Sequence, residues 1–120
     1  MSEYIYIIGG VVVILIAVAI LLKSYSARKT YTYTNVYYPN GNIRRSFKQL
    51  NATDAEERVY YETGELNKTC YVSCGKRQGA FIVRYRNGKE YMKGKYCSGK
   101  YVGEVIILDQ NGNIKQKLNY

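Results

Sequence analysis

No charged residue occurs from Tyr4 to Leu22, a run of 19 residues reading YIYIIGGVVVILIAVAILL, whereas beyond Thr30 apolar and polar residues alternate in short stretches. The two patterns predict different elements. At about 1.5 Å rise per residue the first run makes roughly 28 Å of helix, close to the ~30 Å hydrocarbon thickness of a bilayer. It predicts a transmembrane helix, with Tyr4, Tyr6 and Tyr25 as interfacial aromatics. A cleaved signal peptide calls for a basic start, and Met1-Ser2-Glu3 is acidic, while Ser24 to Ala27 makes a poor cleavage site. A buried core helix would have only the residues after Lys29 to wrap it. Glu3 precedes the run, and Lys23, Arg28 and Lys29 follow it. The positive-inside rule then places the following domain in the cytoplasm and these three side chains beside lipid headgroups. The alternating part, rich in Tyr, Val, Ile and Thr, predicts strands at 31–38, 43–50, 57–62, 65–73, 80–86, 89–97, 102–109 and 114–119.

The strand pattern repeats. VYYPNGNI from Val36, VYYETGEL from Val59, VRYRNGKE from Val83 and ILDQNGNI from Ile107 carry glycines at Gly41, Gly64, Gly88 and Gly112, spaced 23, 24 and 24 apart. Five residues before each glycine stands a β-branched residue. Three before stand Tyr38, Tyr61, Tyr85 and then Asp109. A second motif keeps the same period: Gly75 and Gly79 enclose Lys76-Arg77-Gln78, and Gly99 and Gly103 enclose Lys100-Tyr101-Val102. In the first unit Asn51 to Glu57 stands in place of that pair. Asn40-Gly41, Asn87-Gly88 and Asn111-Gly112 predict type I′ hairpin turns, with positive φ at both central residues, and Thr63-Gly64 is a weaker version. A hairpin cannot bury its apolar face alone, so neighbours stack or continue one sheet.

The Y-x-x-N-G signature followed by G-K-x-x-G at about 24 residues resembles the MORN-repeat variant of bacterial, antitoxin-like proteins, over residues 36–120. A further glycine of that pattern, six after the turn glycine, is kept as Gly94, with Phe47 and Cys70 at the equivalent positions. The resemblance implies an array of β-hairpins and a scaffold or binding role, and no reaction. The expected fold is mainly β: one N-terminal transmembrane helix with a basic flank in residues 1–29, then an antiparallel sheet of about four MORN-like hairpins in residues 30–120.

Charge and composition narrow the chemistry. The net charge is +9, of which residues 1–29 hold +2, leaving +7 on the repeats. Such a domain is drawn to anionic lipid, nucleic acid or acidic protein, and lysines on exposed strands also keep a sheet soluble. Histidine is absent, so neither a Ser/His/Asp arrangement nor a Cys/His zinc site can form. Cys70, Cys74 and Cys97 are an odd set with no fourth ligand and read as reduced packing residues. Gly75 to Gly79 lacks the spacing of a phosphate loop. No catalytic, cofactor or metal residues are expected. Fifteen tyrosines without tryptophan suit a thin sheet that needs side chains apolar in body and polar at the tip.

These observations lead to the expectation of a non-enzymatic, membrane-anchored scaffold. It would present a Tyr/Lys-rich sheet face to an unidentified protein partner or to the lipid bilayer. Three alternatives stay open. One is an immunity or antitoxin-like binder. Another is a structural component such as a capsid-to-membrane linker on the internal membrane of a large DNA virion. The last is a basic nucleic-acid-binding module.

Overall fold

The computed structural model describes residues 15–23 and 29–120. Residues 15–23 are helical and are labelled α1. Among the described residues no helix is long and apolar enough to cross a membrane. The expected fold class is corrected here. Among the described residues the single-pass transmembrane helix expected over Tyr4–Leu22 is not found, and the membrane placements built on it, cytoplasmic domain and virion membrane alike, are withdrawn. Residues 4–14 of the apolar run lie outside the described residues, and the described helical part, residues 15–23, is shorter than the about 20 residues that cross a bilayer. Tyr4, Tyr6, Tyr25 and Arg28 lie outside the described residues.

The chain divides between Thr30 and Tyr31 into two units. The second is mainly β. Its strands are β1 (Tyr33–Tyr37), β2 (Ile43–Gln49), β3 (Asp54–Tyr60), β4 (Leu66–Ser73), β5 (Lys76–Arg77), β6 (Gly79–Arg84), β7 (Glu90–Cys97), β8 (Lys100–Leu108) and β9 (Ile114–Asn119). All belong to one antiparallel sheet in the order β1-β2-β3-β4-β6-β7-β8-β9, with β5 also on β4. Sequential neighbours pair because each is joined to the next by a short turn. Two departures from the expected strand boundaries have local causes. β3 starts at Asp54 because Asn51 makes its own turn: its Oδ1 accepts the N–H groups of Thr53 and Asp54, both at 2.9 Å. Lys76 and Arg77, expected inside a loop, pair with Ser73 and Val72. Together β5 and β6 repeat β8 at an offset of 24, with a bulge at Gly79 (φ 82°) and Gly103 (φ 68°).

The turns are distributed differently from the prediction. Gly41, Gly64, Gly88 and Gly112 have positive φ, but Asn40, Asn87 and Asn111 do not. In each hairpin the residue three before the glycine accepts the glycine N–H, for example Gly88 N to Tyr85 O at 2.9 Å, and its own N–H reaches one residue further, Tyr85 N to Lys89 O at 2.8 Å. The register shifts beside each of these turns. This is a type I turn closed by a bulged glycine, in which only one residue enters the left-handed region. The two-residue turns with both φ values positive are Cys74-Gly75 (50° and 80°) and Ser98-Gly99 (49° and 86°), flanked by the pairs Ser73–Lys76 and Cys97–Lys100.

The register lines up the repeat across the sheet. Val36, Arg45, Val59, Lys68, Val83, Met92, Ile107 and Gln116 are successive cross-strand partners through eight strands. Two residues along, on the same face, lie Thr34, Phe47, Glu57 and Cys70, continued by the pairs Phe81–Gly94 and Val105–Leu118. Here the core sits: Cys70, Phe81, Tyr96 and Val105 are buried, with Val83, Met92, Tyr101 and Leu118 packed against them. Tyr101 stacks on both Phe81 and Tyr96, each at 5.2 Å between ring centroids.

Candidate interaction face

The repeat tyrosines are spent inside the array. Tyr38 Oη donates to Tyr60 O at 2.7 Å, Tyr61 Oη to Arg84 O at 2.7 Å, and Tyr85 Oη to Leu108 O at 2.8 Å. Each acceptor immediately precedes the corresponding position of the next unit, so every tyrosine ties its hairpin to its successor. At position 109 the tyrosine is replaced. Asp109 instead turns back on its own hairpin and accepts the N–H groups of Asn111 at 2.9 Å and Asn113 at 3.0 Å. The expected glycines Gly41, Gly64, Gly88, Gly112, Gly75, Gly79, Gly99 and Gly103 all have positive φ, so they shape the backbone. Lys23 lies in α1 and Lys29 is exposed. With no helix among the described residues long and apolar enough to cross a membrane, their headgroup role loses its premise.

One side chain on the buried face was not singled out by sequence. Glu57 is wholly buried at the position that Phe81 and Val105 occupy in the next units. Burial by itself raises its pKa. The hydrogen bonds from Arg45 and Cys70 and the charges of Arg77 and Arg45 outweigh that and hold the carboxyl below its ordinary value. Arg77 Nε lies 3.0 Å from Oε1, Cys70 Sγ donates to the same oxygen at 3.1 Å, and Arg45 pairs with Oε2. Burial, and then the bond to Glu57, push the Cys70 thiol up to about 12, so it stays protonated. Lys68 is lowered by burial and by the charge of Arg77, and bonds the Tyr96 hydroxyl. This cluster serves to bury charge within a row that is otherwise apolar. The signal for it was available: Glu57, Phe81 and Val105 keep the 24-residue spacing.

The opposite face is where partners can reach. Its central row runs Asn35, Ser46, Arg58, Thr69, Ile82, Lys93, Ile106, Lys117 in unbroken cross-strand register. The last four alternate isoleucine and lysine. Lys95 and Lys115 flank them at i±2, on the same face. Glu90 and Glu104 are the acids on β7 to β9, against Lys93, Lys95, Lys100, Lys115 and Lys117. Lys93 has Glu90 at 3.5 Å. Two open hollows of about 590 and 560 Å³ meet here, both lined by Lys93 and Ile106. Leu108 and Ile114 add apolar surface to the first, and Ile82 and Val102 to the second. Asp54, Glu56, Glu57, Glu62 and Glu65 cluster on and around β3, leaving the β7–β9 end basic. Exposed aromatic surface comes from Tyr31, Tyr33, Tyr37, Tyr71, Tyr91 and Tyr120, outside the repeat-register set. In comparisons with protein-family models, curated proteins and solved structures, no match to this chain was found.

Proposed function

We propose that the chain is a non-enzymatic interaction scaffold that binds an acidic, partly apolar segment of a protein partner on the β7–β9 end of its sheet. The observation that carries this is the Ile82–Lys93–Ile106–Lys117 row, with two hollows meeting at Lys93 and Ile106. Lysines set apart by branched apolar side chains offer charge for steering and apolar area for affinity. Exposed ion pairs contribute only about 0.2–1 kcal/mol each, so the lysines mainly select the partner and speed the encounter. Burial of the isoleucines adds roughly 25 cal/mol per Å². The 23- and 24-residue hairpin unit supports the resemblance to MORN repeats, which implies the same kind of role.

The test is fluorescence anisotropy of the full chain with a labelled peptide alternating Glu and Leu, against the same peptide with Lys for Glu. The acidic peptide should bind and the basic one should not. Lys93→Glu with Lys117→Glu should weaken binding about tenfold or more through like-charge repulsion, while Arg44→Glu on β2 should leave it nearly unchanged. Equal binding of both peptides, or no response to the double reversal, would overturn the reading. Tighter binding of a single-stranded oligonucleotide than of the acidic peptide would replace it with the nucleic-acid reading.

A further inference from the structure

Among the described residues β1 and β9 are the edge strands of the sheet, and they differ. At the β9 edge, Gly103 and Tyr120 exchange backbone hydrogen bonds at 3.3 and 3.0 Å. By alternation the even-numbered residues of β9 then bond inward, and the backbone groups of Lys115, Lys117 and Asn119 point out. Edge lysines are a standard obstacle to strand addition. The unit beside this edge also lacks the tyrosine tie, since Asp109 stands in its place and accepts hydrogen bonds from its own turn.

At the β1 edge neither device is present. Thr32 O accepts Gln49 N at 2.9 Å, and Tyr38 N donates to Asn42 O at 2.8 Å. The even-numbered residues therefore bond β2, and Tyr33, Asn35 and Tyr37 turn their N–H and C=O groups outward. From Thr30 to Asn42 there is no charged residue. All five residues of β1 are exposed, Tyr33 and Tyr37 by 58% each.

From this asymmetry we infer that β1 is a pairing edge and that its occupant is β1 of a second copy of the chain, antiparallel about a two-fold axis at Asn35. The strand is complementary to itself in that register. Asn35 meets Asn35 of the other copy, and Tyr33 meets Tyr37, twice over. These are hydrogen-bonded pairs, because both partners present outward backbone groups. Thr34 meets Val36 at the closer, non-hydrogen-bonded positions, where branched side chains pack well. No like charges oppose one another. The operation keeps each face of the sheet on its own side, so the Thr34 and Val36 rows run on into the second copy. Head-to-tail joining of β1 to β9 would set the lysine edge and Asp109 at every junction. The isologous pairing closes on itself and leaves only the two lysine-guarded β9 edges.

Sedimentation equilibrium of the full chain reads this directly. The expected particle has twice the 13.8 kDa chain mass. Asn35→Pro removes an N–H that the chain's own ladder does not use and is tolerated on an outward-facing edge position, so it should give monomers with the far-UV circular dichroism of the parent. Asn35→Lys, which sets two cations across the axis without touching backbone pairing, should do the same and stands in if the proline variant fails to fold. Lys117→Thr at the other edge should leave the dimer intact. A monomeric parent chain, or an oligomer that persists in Asn35→Lys, would overturn the inference. So would dissociation caused by Lys117→Thr.

Discussion

The hydroxyl of Tyr85 donates to the backbone carbonyl of Leu108 at 2.8 Å, tying the third hairpin to the strand that opens the fourth. Leu108 is 7% exposed, so its carbonyl has little water to turn to if the phenol is lost. Tyr85→Phe removes one hydrogen bond and keeps the ring, and should destabilise the sheet by about 0.5–1.5 kcal/mol. Tyr61→Phe breaks the equivalent tie to Arg84 and should cost a similar amount, with the double variant close to additive because the two ties share no partner. Chemical denaturation monitored by circular dichroism gives all three values. A neutral Tyr85→Phe would mean that the hairpins are held by ladder pairing alone.

Glu57 makes the stability of the sheet depend on acid. Its carboxyl sits below the ordinary range when folded and returns to about 4.3 when unfolded. The stabilisation it contributes is therefore fully present above the unfolded value and is lost as pH falls through the lower folded value. Glu57→Gln keeps the shape and removes the charge, leaving Arg45 and Arg77 without their anion. Removing one partner of a buried pair costs about 3–5 kcal/mol when the other is trapped. Arg45 and Arg77 retain 39% and 36% exposure and can turn toward water, so about 1–3 kcal/mol is expected at neutral pH. Denaturation of both proteins across pH should show this gap narrowing below about pH 4.3. A gap constant down to the acid limit would show that the charge on Glu57 is not the source.

How far the sequence carries can be argued from the same residues. The hairpin order was legible because glycines and β-branched positions recur at fixed spacing, and spacing survives whatever the side chains do. The turn geometry was not. Asn-Gly fits a type I′ turn and also a type I turn with a bulged glycine, and the choice depends on register beyond the dipeptide. The buried carboxylate escaped for a different reason. Glu57 lies in an acidic stretch with Asp54 and Glu56, which reads locally as a solvated face, and only the row through Phe81 and Val105 shows it inside. Of the apolar run at the N-terminus only residues 15–22 are among the described residues, and composition alone does not give the length of the helix there. The Ile/Lys row depends on cross-strand partners far apart in the chain, and no local pattern holds that information.

Gly94 is small because its neighbours are large. A Cβ there would lie 2.9 Å from Val105 Cγ2, 3.1 Å from Phe81 Cε1 and 3.3 Å from Glu104 O. Its repeat equivalents at the 24-residue spacing are Cys70 and Leu118. Gly94→Ala should cost about 1–3 kcal/mol by overpacking, even though alanine suits the backbone. Val105→Ala in the same chain removes the nearest clash, so the double variant should be more stable than the sum of the two single losses implies. Additive losses in denaturation midpoints would place the strain on the backbone contact with Glu104 instead.

The two kinds of turn respond to substitution in opposite directions. Gly88 closes a type I turn at φ 88°, and no atom lies within 4 Å of where its Cβ would point. Any loss at this site is therefore backbone strain, uncomplicated by collision. Gly88→Val places a β-branched residue in the left-handed region and should cost about 1–3 kcal/mol. Gly88→Asn should cost less, since asparagine tolerates that region. Lys117→Thr, on an exposed strand face, should stay within about 0.5 kcal/mol. Ser98 is the converse case. It holds φ 49° ahead of Gly99 at 86°, the geometry for which Asn-Gly is the preferred pair. Ser98→Asn should therefore stabilise the β7–β8 hairpin by a few tenths of a kcal/mol, and the backbone bond from Ser98 N to Gln78 Oε1 does not depend on the side chain exchanged. Thermal melts of the full chain carrying each change separate these outcomes. A loss on Ser98→Asn, or equal melting of Gly88→Val and Lys117→Thr, would mean that φ at these two turns is not what limits stability.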